Sequence, residues 1–213
     1  MIRGVKLEFW REGCWLFPVV FCLGAAVCFG EESPKGSLPV LATVPEFGLT
    51  DQNGEVFGSK DLAGDVWIAN FIFTRCPATC PQQTRHLKML QEQLLDHPQW
   101  DRIHLVSFSV DPKNDSPEVL RAYGDAAGAD HARWHFLTGR REKIWGLSKD
   151  GFKLDVGEAP PDGNSPLFHS PKLVLLDASC RMRGLYDGLS QDGLDDLQGG
   201  LALLFSEESV DGK

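Results

Sequence analysis

The chain has 213 residues, 42% of them apolar and 24% charged, ordinary values for one globular domain with a short appendage. Its formal net charge of −9 argues against nucleic acid as a partner. An acidic surface serves solubility, or a basic protein partner.

Residues 1–30 differ in character from the rest. Arg3, Lys6 and Arg11 precede an apolar run from Trp15 to Gly30, and Glu31 and Glu32 open a polar segment. This is the layout of a secretory signal peptide or an N-terminal membrane anchor. The run is slightly short for a spanning helix, which needs about 17–25 residues, so cleavage and retention both stay open. With the positive residues in front, the remainder is expected outside the cytoplasm, in a periplasm or on the outer face of an inner membrane. Residues 31–45, with Pro34, Pro39 and Pro45, read as a linker. Cys14, Cys22 and Cys28 belong to the export segment, which leaves Cys76, Cys80 and Cys180. One close pair and one single cysteine do not make a disulfide-stapled scaffold, so the pair is read as chemical.

In chain order, Asn53-Gly54 between Phe47 and Phe57 predicts a β-hairpin, because both turn positions need positive φ. Ser59–Leu62 reads as a capped helical turn. Val66–Phe73, apolar on both faces, reads as a buried central strand. From Pro81 the spacing of Thr84, Leu87, Leu90 and Leu94 predicts a helix, with Cys80 near its N-cap and Cys76 in an irregular turn before it. Ile103–Val110 is a second strand, stopped by Asp111-Pro112. Ser116-Pro117-Glu118 supplies an N-cap, a first position and an acidic first turn for a helix to about Ala127. A short strand Trp134–Leu137, a short helix Glu142–Ser148 and a strand Phe152–Val156 follow. Residues 157–166 read as a turn-rich loop. Strands Lys172–Asp177 and Arg183–Tyr186, a helix Asp195–Phe205 and a frayed acidic tail at 207–213 complete the chain. Alternating strands and helices predict an α/β fold: a mainly parallel, mixed central sheet flanked by helices, closed by an antiparallel pair.

Two thiols four residues apart at a strand-to-helix junction suit three kinds of chemistry. The helix N-terminus stabilises thiolate and so activates sulfur. One helical turn places the two Cα atoms about 6 Å apart, within reach of a disulfide. The same gap lets both sulfurs converge on one metal ion. An inert structural disulfide is the plain alternative. Of the six histidines, His86, His97 and His131 have surface explanations, and His104 and His135 sit in strands. His169 follows the turn-rich loop and precedes a strand expected beside the cysteine strand, at the end of the sheet where ligands gather.

Four ordered motifs then carry a resemblance: Phe71-Ile-Phe-Thr-Arg-Cys76-Pro-Ala-Thr-Cys80-Pro81, Ser109-Val-Asp111-Pro-Lys-Asn-Asp115-Ser-Pro117, Trp134-His-Phe-Leu-Thr-Gly139, and Phe168-His169-Ser with Leu176-Asp177. Together they resemble the Sco/SenC family over roughly residues 45–205. The resemblance implies a thioredoxin-like domain at 46–206. It also implies a role in assembling cytochrome c oxidase, supplying copper to that enzyme's dinuclear centre or reducing the centre's cysteines. Expected partners are therefore the oxidase subunit that houses the centre, or another copper chaperone, with membrane attachment if residues 1–30 are retained. Carried over by position, Cys76, Cys80 and His169 match the family's copper ligands. Two thiolates and one imidazole form a soft set that suits copper, and three ligands suffice for trigonal Cu(I). A structural zinc site would want a fourth.

The competing reading is an exported thiol–disulfide oxidoreductase, with Cys76 as nucleophile and Cys80 as the resolving thiol. Pro171 favours it, standing where thioredoxin-type oxidoreductases carry a proline beside their thiols. A peroxidase is the weakest fit, lacking the single-thiol, arginine-assisted arrangement. Asp111 either caps its turn or supports the site from behind, and Cys180 reads as incidental.

Overall fold

The computed structural model describes residues 36–77, 79–160 and 165–211, with side chains as far as Glu207. The expected export segment at 1–30 and the start of the linker lie outside the described residues. In chain order the elements are β1 (Ala42–Thr43), β2 (Gly48–Thr50), β3 (Val56–Gly58), β4 (Val66–Ile72), α1 (Thr79–Leu94), β5 (Ile103–Ser109), α2 (Pro117–Ala127), β6 (Trp134–Leu137), α3 (Arg141–Gly146), β7 (Val156–Glu158), β8 (Leu167–His169), β9 (Lys172–Leu176), β10 (Arg181–Asp187) and α4 (Gln191–Asp211).

The main sheet has the order β1-β10-β9-β4-β5-β6. β4, β5 and β6 run parallel, because α1 and α2 supply the crossovers that parallel pairing requires. β9 runs antiparallel to β4, β10 to β9, and β1 to β10. The sheet is thus half parallel, less than the alternation of elements predicts, because β9 is entered from a hairpin and not from a crossover helix. The two halves meet at β4, the strand that leads to the cysteines.

Every residue of β4 and β5 is buried, which is why neither shows polar–apolar alternation. The pleat still sorts their side chains. Trp67 and Phe71 face one side, in an aromatic cluster with Phe47, Phe108 and Phe152. Asn70 faces the other and meets Gln83 of α1.

Local signals set the element ends. The β2–β3 hairpin closes on Asp51, whose carboxylate accepts from the Asn53 and Glu55 amides, with Gly54 at φ +84°. Ser116 caps α2 by accepting from the Val119 amide, Pro117 takes the first position, and Gly128 ends the helix in the left-handed region. α1 begins at Thr79, so Cys80 is its second residue and lies inside the first turn, two positions past the N-cap. Pro81 fits there because amides of the first turn have no intrahelical acceptor.

Three stretches depart from the sequence reading. The expected strand Phe152–Val156 and the loop 157–166 give way to the hairpin β7–β8, with Val156 opposite His169 and Glu158 opposite Leu167; residues 161–164 lie outside the described residues. α4 starts a turn earlier and runs further, taking up residues expected to fray. Residues 38–44, within the stretch read as a linker, are tied down. β1 pairs with β10, Leu41 and Val44 donate to the Met182 and Cys180 carbonyls, and Arg183 donates to the carbonyls of Leu38 and Pro39. The same guanidinium pairs with Asp177 and with Glu207 of α4. Among the described residues no helix is long and apolar enough to cross a membrane.

Candidate metal centre

Past β4 the chain turns sharply, and the Cys76 amide donates to the Phe73 carbonyl at 3.1 Å. A buried carboxylate anchors this turn. Asp115, wholly inaccessible, accepts from the Thr74 amide, the Thr74 hydroxyl and the Ser109 hydroxyl. Arg75 reaches back to Asp111 at 2.8 Å, and Asn114 donates to the same carboxylate. Asp111 therefore braces the residue before Cys76 as well as its own turn.

Cys80 projects from the first turn of α1 and is 1% exposed, whereas Cys76 is half-buried. The two are reduced, and the Cys76 sulfur lies 3.7 Å from the Thr79 hydroxyl. His169 ends β8. Its Nδ1 is 3.0 Å from the Ser170 carbonyl, which only accepts, so Nδ1 carries a proton. In the neutral ring Nε2 then offers a lone pair, and it lies 3.0 Å from the Cys80 sulfur. Phe73 meets the imidazole edge-on at 5.8 Å and walls off one side. The sulfurs of Cys76 and Cys80 and one nitrogen of His169 all lie within 4.8 Å of one another.

Burial pushes the Cys80 thiol far above its ordinary pKa, with the neighbouring Cys76 adding to the rise. This overturns, for Cys80, the expectation that a helix N-terminus lowers the pKa. The Phe73 backbone and the Thr79 hydroxyl pull the other way, but desolvation of a sulfur with almost no water contact outweighs them. Cys80 therefore holds its proton and donates it to His169 Nε2.

The other histidines stand apart. His104 and His135 bond to each other at 3.1 Å, and His104 to Asp65 at 3.0 Å. His86 donates to the Gly188 carbonyl, His131 bonds to Asp125 and Gln52, and His97 stacks near Phe205. The Pro171 carbonyl is engaged elsewhere, accepting from Gln83 Nε2 and the Gly188 amide. Asn70, Thr74, Gln83 and Asp115 support the site, and none was singled out by chemistry. The hints in the sequence are the polar residue interrupting an apolar strand at Asn70 and the places of Thr74 and Asp115 within two of the quoted motifs.

Comparison with known proteins gives one consistent result. A family model described as SCO1/SenC matches residues 37–194. A SCO1/SenC family lipoprotein from Bacillus anthracis is 34% identical, with a TM-score of 0.70 over 78% of this chain and 96% of that one. BsSco, described as a member of the Sco family of cytochrome c oxidase assembly proteins and as carrying a disulfide switch, is 28% identical, with a TM-score of 0.65 over 77% and 96%. Copper-bound ScoI from Arabidopsis thaliana, at 22% identity and a TM-score of 0.66 over 78% and 99%, shares the fold.

Proposed function

Because the chain belongs to the SCO1/SenC family, we propose that it is a copper-binding assembly factor for cytochrome c oxidase, with Cys76, Cys80 and His169 as the ligands. The observation that carries this reading is the convergence of two sulfurs and one imidazole nitrogen within 4.8 Å. The donor set fits copper: soft thiolates with a neutral imidazole, its tautomer already fixed by Nδ1 and the Ser170 carbonyl. Three ligands leave an open side, through which cargo can pass to an acceptor by ligand exchange. The half-buried Cys76 gives that acceptor its first point of attack. The acceptor is the oxidase subunit that houses the dinuclear copper centre, or a second copper chaperone on the route to it.

The thiol–disulfide reading stays alongside. Joining Cys76 and Cys80 would release two protons and two electrons to an oxidised partner and would remove both sulfur donors. Copper loading and disulfide formation are therefore alternatives at one site. Residues 1–30 would direct the protein out of the cytoplasm and, if retained, hold the domain at the membrane surface.

The test is titration of the reduced protein with Cu(I) against a competing chelator. Cys80→Ala and His169→Ala should each weaken binding at least about tenfold. Equal binding by wild type and His169→Ala would sink the three-ligand site and leave the oxidoreductase reading.

A further inference from the structure

Beneath the metal ligands runs a chain of buried hydrogen bonds that crosses the sheet and ends on the His169 side. Trp134 Nε1 donates to Ser107 Oγ at 3.0 Å, and Ser107 Oγ donates to Asn70 Oδ1 at 2.7 Å. Asn70 Nδ2 donates to Gln83 Oε1 at 3.0 Å, and Gln83 Nε2 donates to the Pro171 carbonyl at 2.8 Å. Its direction is fixed. An indole N–H only donates and a backbone carbonyl only accepts, so both ends are set; turning Gln83 over would break two bonds, and turning Asn70 over would break its bond to Gln83. Trp134, Ser107, Asn70 and Gln83 are each at most 1% exposed, so water cannot substitute for a lost partner.

The placement of Gln83 gives the chain a consequence for the site. Gln83 is one turn after Cys80 on α1, and the carbonyl it holds is two residues after His169. One side chain thus ties the helix that carries a thiol to the segment that carries the imidazole. Between the two lies Ser170. Its amide donates to the Asp155 carbonyl at 3.0 Å, and its own carbonyl takes the His169 Nδ1 proton. With Ser170 held at its amide and Pro171 held at its carbonyl, the acceptor that orients the imidazole cannot turn.

The seat is tight from the far side as well. Gly188 donates to the Pro171 carbonyl, and a Cβ on Gly188 would sit 2.4 Å from that oxygen and 2.8 Å from Gln83 Nε2. Only glycine lets the bridge close.

We infer that Gln83 is a positioning residue for the metal centre, holding the Ser170–Pro171 backbone so that His169 presents Nε2 to the two sulfurs. The inference rests on the copper-site reading and deepens it: Gln83 acts on the nitrogen donor and leaves the sulfurs alone.

Two substitutions address the bridge from opposite sides. Gln83→Met keeps the volume and removes the donor, and Gly188→Ala crowds the carbonyl. Gln83→Glu keeps the shape and the bond from Asn70, and a carboxyl so buried holds its proton and can still donate to the Pro171 carbonyl, so this variant should bind within about threefold of wild type, and a loss as large as that of Gln83→Met would count against the bridge. Each is made alone and with His169→Ala, and Cu(I) affinity is measured by chelator competition. In the metal-free, reduced protein, nitrogen-detected resonance of His169 reads the tautomer directly.

The expected result is a loss of about 10–100-fold in affinity for Gln83→Met and for Gly188→Ala. Added to His169→Ala, neither should cost more than about twofold, the pattern of two residues acting as a unit. The His169 spectrum should change from one tautomer to an average of two. Equal losses with and without His169, or an unchanged His169 spectrum, would overturn the inference while leaving the copper site standing. If His169→Ala binds Cu(I) as wild type does, the copper-site reading has failed and the inference with it.

Discussion

The Cys80 sulfur and the His169 Nε2 lie 3.0 Å apart, brought together from the start of a helix and the end of a hairpin strand. The thiol keeps its proton because burial disfavours the thiolate. A metal ion must displace that proton. Copper affinity should therefore rise with pH across the neutral range, by close to tenfold per pH unit for the one proton lost from Cys80. Calorimetry in two buffers of different ionisation enthalpy counts the protons released, and a pH-independent affinity would contradict the protonated state of Cys80.

Exposure separates the two thiols. Cys76 is half-buried and Cys80 is 1% exposed with a raised pKa. Limited alkylation of the reduced, metal-free protein should modify Cys76 at least about tenfold faster, since attack needs both access and thiolate. Mass mapping of the first modified peptide checks this. Preferential labelling of Cys80 would reverse the nucleophile and resolving roles.

The turn before Cys76 depends on Asp115. Replacing it by Asn removes a buried charge and leaves at least one of its three donors (Thr74 amide, Thr74 hydroxyl, Ser109 hydroxyl) facing an amide group. A buried group that loses its partner costs about 1–3 kcal/mol, more where a charge is involved. Asp115→Asn should lower stability in urea by roughly that amount and loosen the Cys76 turn. A variant as stable as wild type would show that the carboxylate is dispensable.

Acid should destabilise the domain through the His104–His135 pair. Burial lowers both pKa values, that of His135 to about 4, and the neighbouring ring lowers His135 further. Asp65 opposes the shift at His104, and Arg133 adds to it. A base whose folded pKa is depressed binds its proton better when unfolded. The stability it confers is thus complete above about pH 6.5 and is lost as pH falls towards 4. At about 1.4 kcal/mol per unit, the loss from His135 is roughly 3 kcal/mol. His135→Gln should flatten that part of the stability–pH curve, read by urea unfolding between pH 7 and 4. An unchanged slope would remove His135 as its source.

Much of this architecture is legible in the residues themselves. β4 and β5 announce themselves as apolar runs, and α2 by Ser116-Pro117 and Gly128. The thiols and His169 stand out by chemistry and motif. The β7–β8 hairpin does not, because Pro160, Pro161, Gly163 and Asn164 make its surroundings look like a loop, and each strand is only three residues long. β1 hides in a proline-containing stretch for the same reason. α4 looks short because Gly193, Gly199 and Gly200 dilute its pattern. Yet Gly193 and Gly200 are needed, since a Cβ there would strike the Asp187 carbonyl or the Tyr186 hydroxyl. Gln83 is the hardest case. A glutamine on a helix reads as a solvated position, and nothing local reveals that Asn70 and Pro171 meet it in the interior.

The register of the edge strand β1 sets where it lies relative to the donors. Ala42 lies level with Met182, Met182 with Leu176, and Leu176 with Trp67, at the start of β4. The cysteines follow the other end of that strand, beyond Ile72. Ala42 and Thr43 therefore pair at the pole of the sheet opposite the donors, about 20 Å away at 3.3 Å per strand residue. The pairing of Ala42 and Thr43 is thus made far from the donors, whose surroundings are left to β4, α1 and β8.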